Sequence, residues 1–252
     1  MKRIDVIGFG PGNYDYMTIE AVQALKEADV IVGYSTYVEL LKKIFTEKKY
    51  LNTPMTREVE RCRMALEEAV KGQRVALVSS GDSGIYGMAG IMLQVVQAAA
   101  AEVEVHIIAG VTAASSGAAM LGAPLMNDFA VISLSDLMTP YEQIMKRVRC
   151  AAEGDFVLCL YNPKSRKRQE HLAEAVDVIR RYRPEETPVG LVHKAGRADG
   201  FCEITTLDGL KGADVDMFTT VIIGNSMTYV RDGKMITPRG YSLEELPVYF
   251  KE

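Results

Sequence analysis

Three times in the first half of this chain a short, mostly apolar run of strand length leads into a glycine-rich loop and then into a helical pattern. Ile4 to Ile7 precedes GFGPGN, Val75 to Val78 precedes SSGDSGIYG, and Val103 to Ile108 precedes AGVTAASSG. Strands that repeatedly alternate with helices are the pattern of a parallel sheet, because each helix carries the chain back along the sheet before the next strand begins. Runs with few polar interruptions fit strands covered on both faces. The pattern therefore predicts an α/β fold. Thr18 is placed to open the first helix, with Ile19, Val22 and Leu25 on one face. Val30 to Val32 reads as a further strand, and a long helix follows in which Val59, Cys62, Leu66, Ala69 and Val70 recur at helical spacing before Gly72 ends it.

Gly122 and Pro124 break the pattern, and from Phe129 it starts again: FAVISLS, a helix from about Tyr141, DFVLCLYN, and a helix from about Ser165 that buries Leu172, Val176 and Ile179. PVGLVHK, FCEITTL and FTTVIIGN then read as strands, and no helix is evident between the last two, which predicts a mixed sheet. With 252 residues, 48% of them hydrophobic, there is enough chain for two modest cores. The expected organisation is an N-terminal α/β domain over 1–122 and a C-terminal α/β domain with a mixed sheet over 123–252, with a ligand cleft between them.

A formal net charge of -4 gives no general attraction to nucleic acid or to acidic membranes, so any anion site has to be built locally. The opening MKRIDVIGFG is interrupted by Asp5 and reads as a buried strand rather than a secretion signal. Cys62, Cys150, Cys159 and Cys202 are scattered without a CxxC pair, which fits reduced thiols in the cytoplasm. Only His106, His171 and His193 offer imidazoles, none at ligand spacing, so no protein-bound metal is expected.

The first loop carries Gly8, Gly10 and Gly12 but has Asn13 and Pro11 where the dinucleotide fingerprint breaks down, and alone it fits a plain turn equally well. The second is more specific. It packs Gly81, Asp82, Ser83, Gly84 and Gly87 after a strand, where open α/β sheets bind ligands, and Asp82 either caps the next helix or holds a ligand. The third offers Thr112, Ala113 and further small residues, which suit close packing against a ligand or another helix. Lys164, Arg166, Lys167 and Arg168 fall at the expected N-terminus of the Ser165 helix. Cations there are disfavoured unless an anion joins them, and a carboxylate-rich substrate is such an anion. Lys194, Arg197, Arg57 and Arg61 are further cationic candidates, and His193 is a candidate proton carrier.

In their order along the chain, GFGPG, GDSGIYG, AGVTA, LYNPKSRKR, HKAGR and TPRGY resemble the tetrapyrrole methyltransferases of cobalamin synthesis, and the similarity spans essentially the whole sequence. Within that family Ser83 and YNPKSRKR are most like the branch that methylates carbon 17 of precorrin-3B, or of its cobalt-bearing counterpart, and contracts the ring. Ala109 departs from the proline found there in many relatives. The resemblance implies S-adenosylmethionine as cofactor, held by Pro11, Gly81, Asp82, Ser83, Ile85, Thr112, Ala113, Tyr161, Ala195 and Thr220. It also implies a tetrapyrrole partner whose carboxylates meet Lys164, Arg166, Lys167, Arg168, Lys194 and Arg197, and a homodimer. Ring contraction requires a hydroxyl proton to be taken up, for which Asp82, Ser83, Asp136 and His193 are the candidates. Methylation at another position of the macrocycle, methylation of RNA or protein, and non-catalytic nucleotide or tetrapyrrole binding are the competing readings.

Overall fold

The computed structural model describes residues 2–165 and 168–242. In chain order the elements are β1 (Arg3–Gly8), α1 (Ile19–Glu27), β2 (Val30–Tyr34), α2 (Ser35–Lys42), β3 (Lys49–Thr53), α3 (Glu58–Val70), β4 (Val75–Ser79), α4 (Ala89–Ala98), β5 (Glu104–Ile108) and α5 (Ala113–Leu121). They continue with β6 (Gly122–Ala123), β7 (Phe129–Ser133), α6 (Tyr141–Glu153), β8 (Val157–Tyr161), α7 (His171–Ile179), β9 (Pro188–His193), β10 (Phe201–Thr206), α8 (Leu207–Leu210), β11 (Thr219–Ile223), β12 (Tyr229–Arg231) and β13 (Lys234–Ile236). No helix among the described residues is long and apolar enough to cross a membrane.

Two compact units form. One takes Met1–Ser116 together with Lys194–Phe201, the other Gly117–His193 together with Cys202–Glu252, each as far as the chain is described. The boundary thus falls inside α5, where the sequence reading placed it after residue 122, and a short segment around HKAGR returns to the first unit.

The first unit holds a five-stranded sheet in the order β3-β2-β4-β1-β5, and all four of its strand pairings are parallel. Period-two alternation sorts its side chains. Ile4, Val6, Val30, Val32, Val75 and Leu77 pack with Cys62, Ala65, Leu66 and Met92, while Ile7, Ile31, Ala76 and Val78 pack with Ala21, Leu25 and Leu41. Both sheet faces are therefore covered, one by α3 and α4 and the other by α1 and α2. Thr18 does cap α1, its hydroxyl oxygen accepting from Ala21 N at 3.1 Å. The apolar face is shifted from the one expected: Ile19 is 78% exposed, and Ala21 and Ala24 join Val22 and Leu25 inside. Likewise Val59 and Val70 lie outside the core of α3, where Ala65 takes a place the spacing had not given it. The α2 and β3 elements were not anticipated.

The second unit holds a five-stranded sheet in the order β10-β9-β11-β8-β7. It is mixed, as expected: β7 and β8 are parallel, whereas β11 runs antiparallel to both β8 and β9. Ile144, Val148, Leu172, Val176 and Ile179 from α6 and α7 cover one face. The short α8 does intervene between β10 and β11, capped by Thr206. The larger correction concerns α7, which starts at His171 and not near Ser165. Ser165 and Arg168 instead exchange backbone hydrogen bonds, Ser165 N donating to Arg168 O and Arg168 N to Ser165 O, both at 3.1 Å.

Candidate cofactor and substrate site

At the carboxyl ends of β4, β1 and β5, neighbours in the sheet, the three glycine loops of the first unit come together. Gly10 and Gly81 exchange two backbone hydrogen bonds, Gly10 N to Gly81 O at 3.0 Å and Gly81 N to Gly10 O at 2.7 Å. Phe9 N also donates to Ser79 O at 3.0 Å. Gly8 allows this approach, because a Cβ there would sit 2.7 Å from Gly81 O and 2.8 Å from both Asp82 Cα and Ser83 N. A Cβ on Gly110 would fall on the carbonyl oxygens of Gly81 and Gly8. Three backbones thus meet where side chains have no room.

Asp82 holds this junction. Its Oδ1 accepts from Gly84 N at 2.8 Å and Ile85 N at 3.1 Å, and its Oδ2 accepts from Gly110 N at 2.9 Å. One carboxylate therefore shapes its own loop and ties it to the third. It does not cap the next helix, which begins only at Ala89. Ser83 is fully buried, and its hydroxyl donates to Ile108 O at 3.2 Å. With no surface and its proton engaged, Ser83 supports the loop and is corrected here as a candidate for proton uptake.

Gly81 sits at φ +69°, and a Cβ there would meet nothing closer than Thr112 Cα at 3.8 Å and Ala113 N at 3.9 Å. Bare backbone thus faces Thr112 and Ala113, the residues expected to line a cofactor. Ile85 and Tyr86 stand exposed at the rim, at 40% and 60%. The first loop gains a cover from residues 194–201: a Cβ on Gly196 would sit 2.6 Å from Pro11 Cγ, and one on Gly12 would sit 2.8 Å from Arg197 Cγ. Pro11 and Ala195, expected at one site, are therefore neighbours in the same unit, with Ala195 buried.

Tyr161 and Thr220 belong to the second unit, Tyr161 at the end of β8 and Thr220 buried on β11. His193 ends β9; its Nδ1 lies 3.2 Å from Thr219 Oγ1 and its Nε2 3.4 Å from Glu203 Oε1. Asp136 follows β7, with Oδ1 3.5 Å from Arg168 Nε and Oδ2 3.3 Å from His171 Nε2.

The basic run divides. Arg166 and Lys167 lie outside the described residues. Arg168 turns inward, its Nη1 donating to Leu134 O at 3.1 Å and Asn162 O at 3.2 Å, so it ties together the loops after β7 and β8 and does not stand at a helix N-terminus awaiting an anion. Lys164 directly precedes Ser165. Lys194 pairs with Asp199, and Arg57, which precedes α3, with Glu60. Arg61 is buried, a position that its polar character concealed in the sequence.

Residues 3–211 match the family described as Tetrapyrrole (Corrin/Porphyrin) Methylases. The chain belongs to the tetrapyrrole methylases. A probable cobalt-factor III C(17)-methyltransferase of Salmonella typhimurium is 51% identical to it over 240 residues, which cover 95% of this chain and 100% of that protein. A precorrin-3B C(17)-methyltransferase of a Sinorhizobium species is 38% identical over 245 residues, covering 94% and 96%. Among solved structures, the crystal structure of the methyltransferase CobJ superposes with a TM-score of 0.87 at 34% identity, covering 94% of this chain and all of that one. As a tetrapyrrole methylase, the chain has the α/β architecture that its glycine loops announced, with a three-stranded sheet β12-β13-β6 in addition to the two five-stranded ones.

Proposed function

We propose that this methylase transfers the methyl group of S-adenosylmethionine to carbon 17 of a tetrapyrrole, with contraction of the ring, on the route to cobalamin. The observation that carries the reading is the junction of Gly8, Gly81 and Gly110 clamped by Asp82, because it leaves bare backbone facing Thr112 and Ala113 in a chain of this family. Full-length similarity to C(17)-methyltransferases supports the position of methylation. Identity of 51% to a protein named for cobalt-factor III, against 38% to one named for precorrin-3B, favours a substrate that already carries cobalt.

Pro11, Gly81, Asp82, Ser83, Ile85, Thr112, Ala113 and Ala195 would hold the cofactor, Ser83 by supporting the loop from behind; Tyr161 and Thr220 enter through the family motif. When bound, the sulfonium supplies an electrophilic methyl group. What the chain contributes is alignment and exclusion of water. Lys164, Arg166, Lys167, Lys194 and Arg197 would receive substrate carboxylates. Asp136 is the preferred proton acceptor, because its side chain is 36% exposed, whereas that of His193 is only 12% exposed and its Nδ1 lies beside Thr219. We place the protein in the cytoplasm as a homodimer, and light scattering at micromolar concentration should return twice the monomer mass of 27.8 kDa.

The test is incubation with methyl-labelled cofactor and, side by side, cobalt-loaded and metal-free precursor. One added methyl at carbon 17 and the absorption change of a contracted ring are expected with the cobalt form. Label on a different carbon, or on neither substrate, overturns the proposal.

A further inference from the structure

Arg61, on α3, is 3% exposed. Its Nε donates to Thr53 Oγ1 at 3.0 Å, Nη2 to Pro54 O at 3.1 Å and Nη1 to the Met88 sulfur at 3.4 Å, and its guanidinium lies 6.0 Å from the centre of the Tyr34 ring. Every one of these partners is neutral. Among the described residues no carboxylate forms an ion pair with Arg61, and Glu58 acts on it only from farther away. A buried guanidinium without a counter-ion is costly, and burial accordingly pulls its pKa below the ordinary arginine value. Its charge acts through surroundings that screen it poorly, with no carboxylate among the described residues in contact to offset it.

That charge meets a half-buried aromatic corner at the carboxyl end of β2. Tyr34 and Tyr37 pack edge to face at 5.1 Å, and Tyr37 packs against Phe9 of the first glycine loop at 5.9 Å. Arg197, whose stem lies against Gly12, is a second cation acting on the Tyr37 phenol. Burial raises that phenol's pKa, while Arg197 and Arg61 oppose the rise. The buried Arg61 thus stands behind an aromatic corner beside the first loop, and the stem of Arg197 lies against that same loop.

We propose that Tyr37 and Arg197 bind a ligand carboxylate, and that Arg61, buried behind them, is a positioning residue whose fixed charge makes this corner an anion site. The inference rests on the reading of the chain as a tetrapyrrole methylase with a carboxylate-bearing substrate and an amino-acid-bearing cofactor. Either molecule supplies the same chemistry, so the experiment separates the two.

Arg61→Gln removes the charge but keeps a hydrogen-bonding end, and Arg61→Lys keeps the charge. Melting temperature and circular dichroism first establish that each variant is folded. Two affinities are then measured: uroporphyrin III, a stable tetrapyrrole polycarboxylate, by its absorption change, and S-adenosylhomocysteine by calorimetry. The expected result is a loss of about tenfold for one of the two ligands in Arg61→Gln, as removal of one charge-assisted contact produces, with Arg61→Lys within about threefold of wild type. The same ligand should lose affinity in Tyr37→Phe and Arg197→Met. Loss for uroporphyrin assigns the corner to a substrate arm, and loss for S-adenosylhomocysteine assigns it to the cofactor. If folded Arg61→Gln and Arg61→Lys bind both ligands alike, the charge has no ligand and the proposal falls. These are binding measurements, so failure of the methylation reading shows separately, as wild-type protein that binds neither ligand.

Discussion

Replacing Asp82 with asparagine tests whether the loop junction is held by that carboxylate. Asparagine can keep Oδ1 in place for Gly84 N and Ile85 N, but it turns an NH2 group toward Gly110 N, where Oδ2 now accepts at 2.9 Å. One charge-assisted hydrogen bond is lost and a partly buried N–H is left facing another donor, a change worth about 1.5–3 kcal/mol. At about 2–4 °C per kcal/mol for a chain of this size, the melting temperature should drop by about 3–12 °C. Chemical denaturation gives the free energy independently, and calorimetry with S-adenosylhomocysteine should show weaker binding, since Thr112 and Ala113 follow Gly110 after Val111 alone. The reasoning is refuted if the variant is as stable as wild type. Should it also bind cofactor normally and yet fail to transfer methyl, Asp82 acts on the reacting atoms instead of holding the loops.

Gly8→Ala should cost more than about 3 kcal/mol, because its Cβ would strike three backbone atoms that have nowhere to move, and a denaturation midpoint near wild type would contradict the described junction. Arg168→Ala should destabilise the second unit by about 2–3 kcal/mol by orphaning the Leu134 and Asn162 carbonyls, whereas Lys164→Ala should leave stability unchanged and raise the substrate KM; equal denaturation curves for the two variants would argue against the division. Burial pushes the Cys62 and Cys159 thiols up to about 12, so at pH 8 a thiol reagent should modify exposed Cys150 at once and these two only on unfolding. The sign follows from linkage: a thiol that holds its proton more tightly when folded adds stability in full below the unfolded value of about 9, and that contribution is lost as pH rises from there toward 12. Replacing both cysteines with alanine should flatten the alkaline limb of the stability profile between those values.

The loops were legible in the sequence because their cause is local. Glycine after an apolar run signals close backbone approach whatever surrounds it, and Gly8, Gly81 and Gly110 are used in that way. The β3 strand was not legible, since KYLNT at the sheet edge has neither a continuous apolar run nor a clean alternation, and only its pairing with β2 makes it a strand. The start of α7 was misplaced for a similar reason: charged residues tolerate helical and non-helical backbone alike, and the reciprocal bonds between Ser165 and Arg168 decide against the helix. Arg61 and Arg168 looked like surface charge because nothing in their neighbours shows that Thr53, Pro54, Leu134 and Asn162 offer them acceptors from distant parts of the chain. Of the residues proposed to hold the cofactor, those on the three glycine loops agreed with strand and glycine patterns, while Tyr161, Ala195 and Thr220 depended on family resemblance alone.

The return of residues 194–201 to the first unit has a consequence for biosynthesis. As the chain leaves the ribosome, the five strands of the first sheet are complete once residue 108 has emerged, yet the piece that lies against Pro11 and Gly12 is still unmade. It arrives only after β7, β8 and β9 have been synthesised. The nascent first unit must therefore wait with one glycine loop uncovered, and it can reach its finished form only when much of the second sheet is already available to fold.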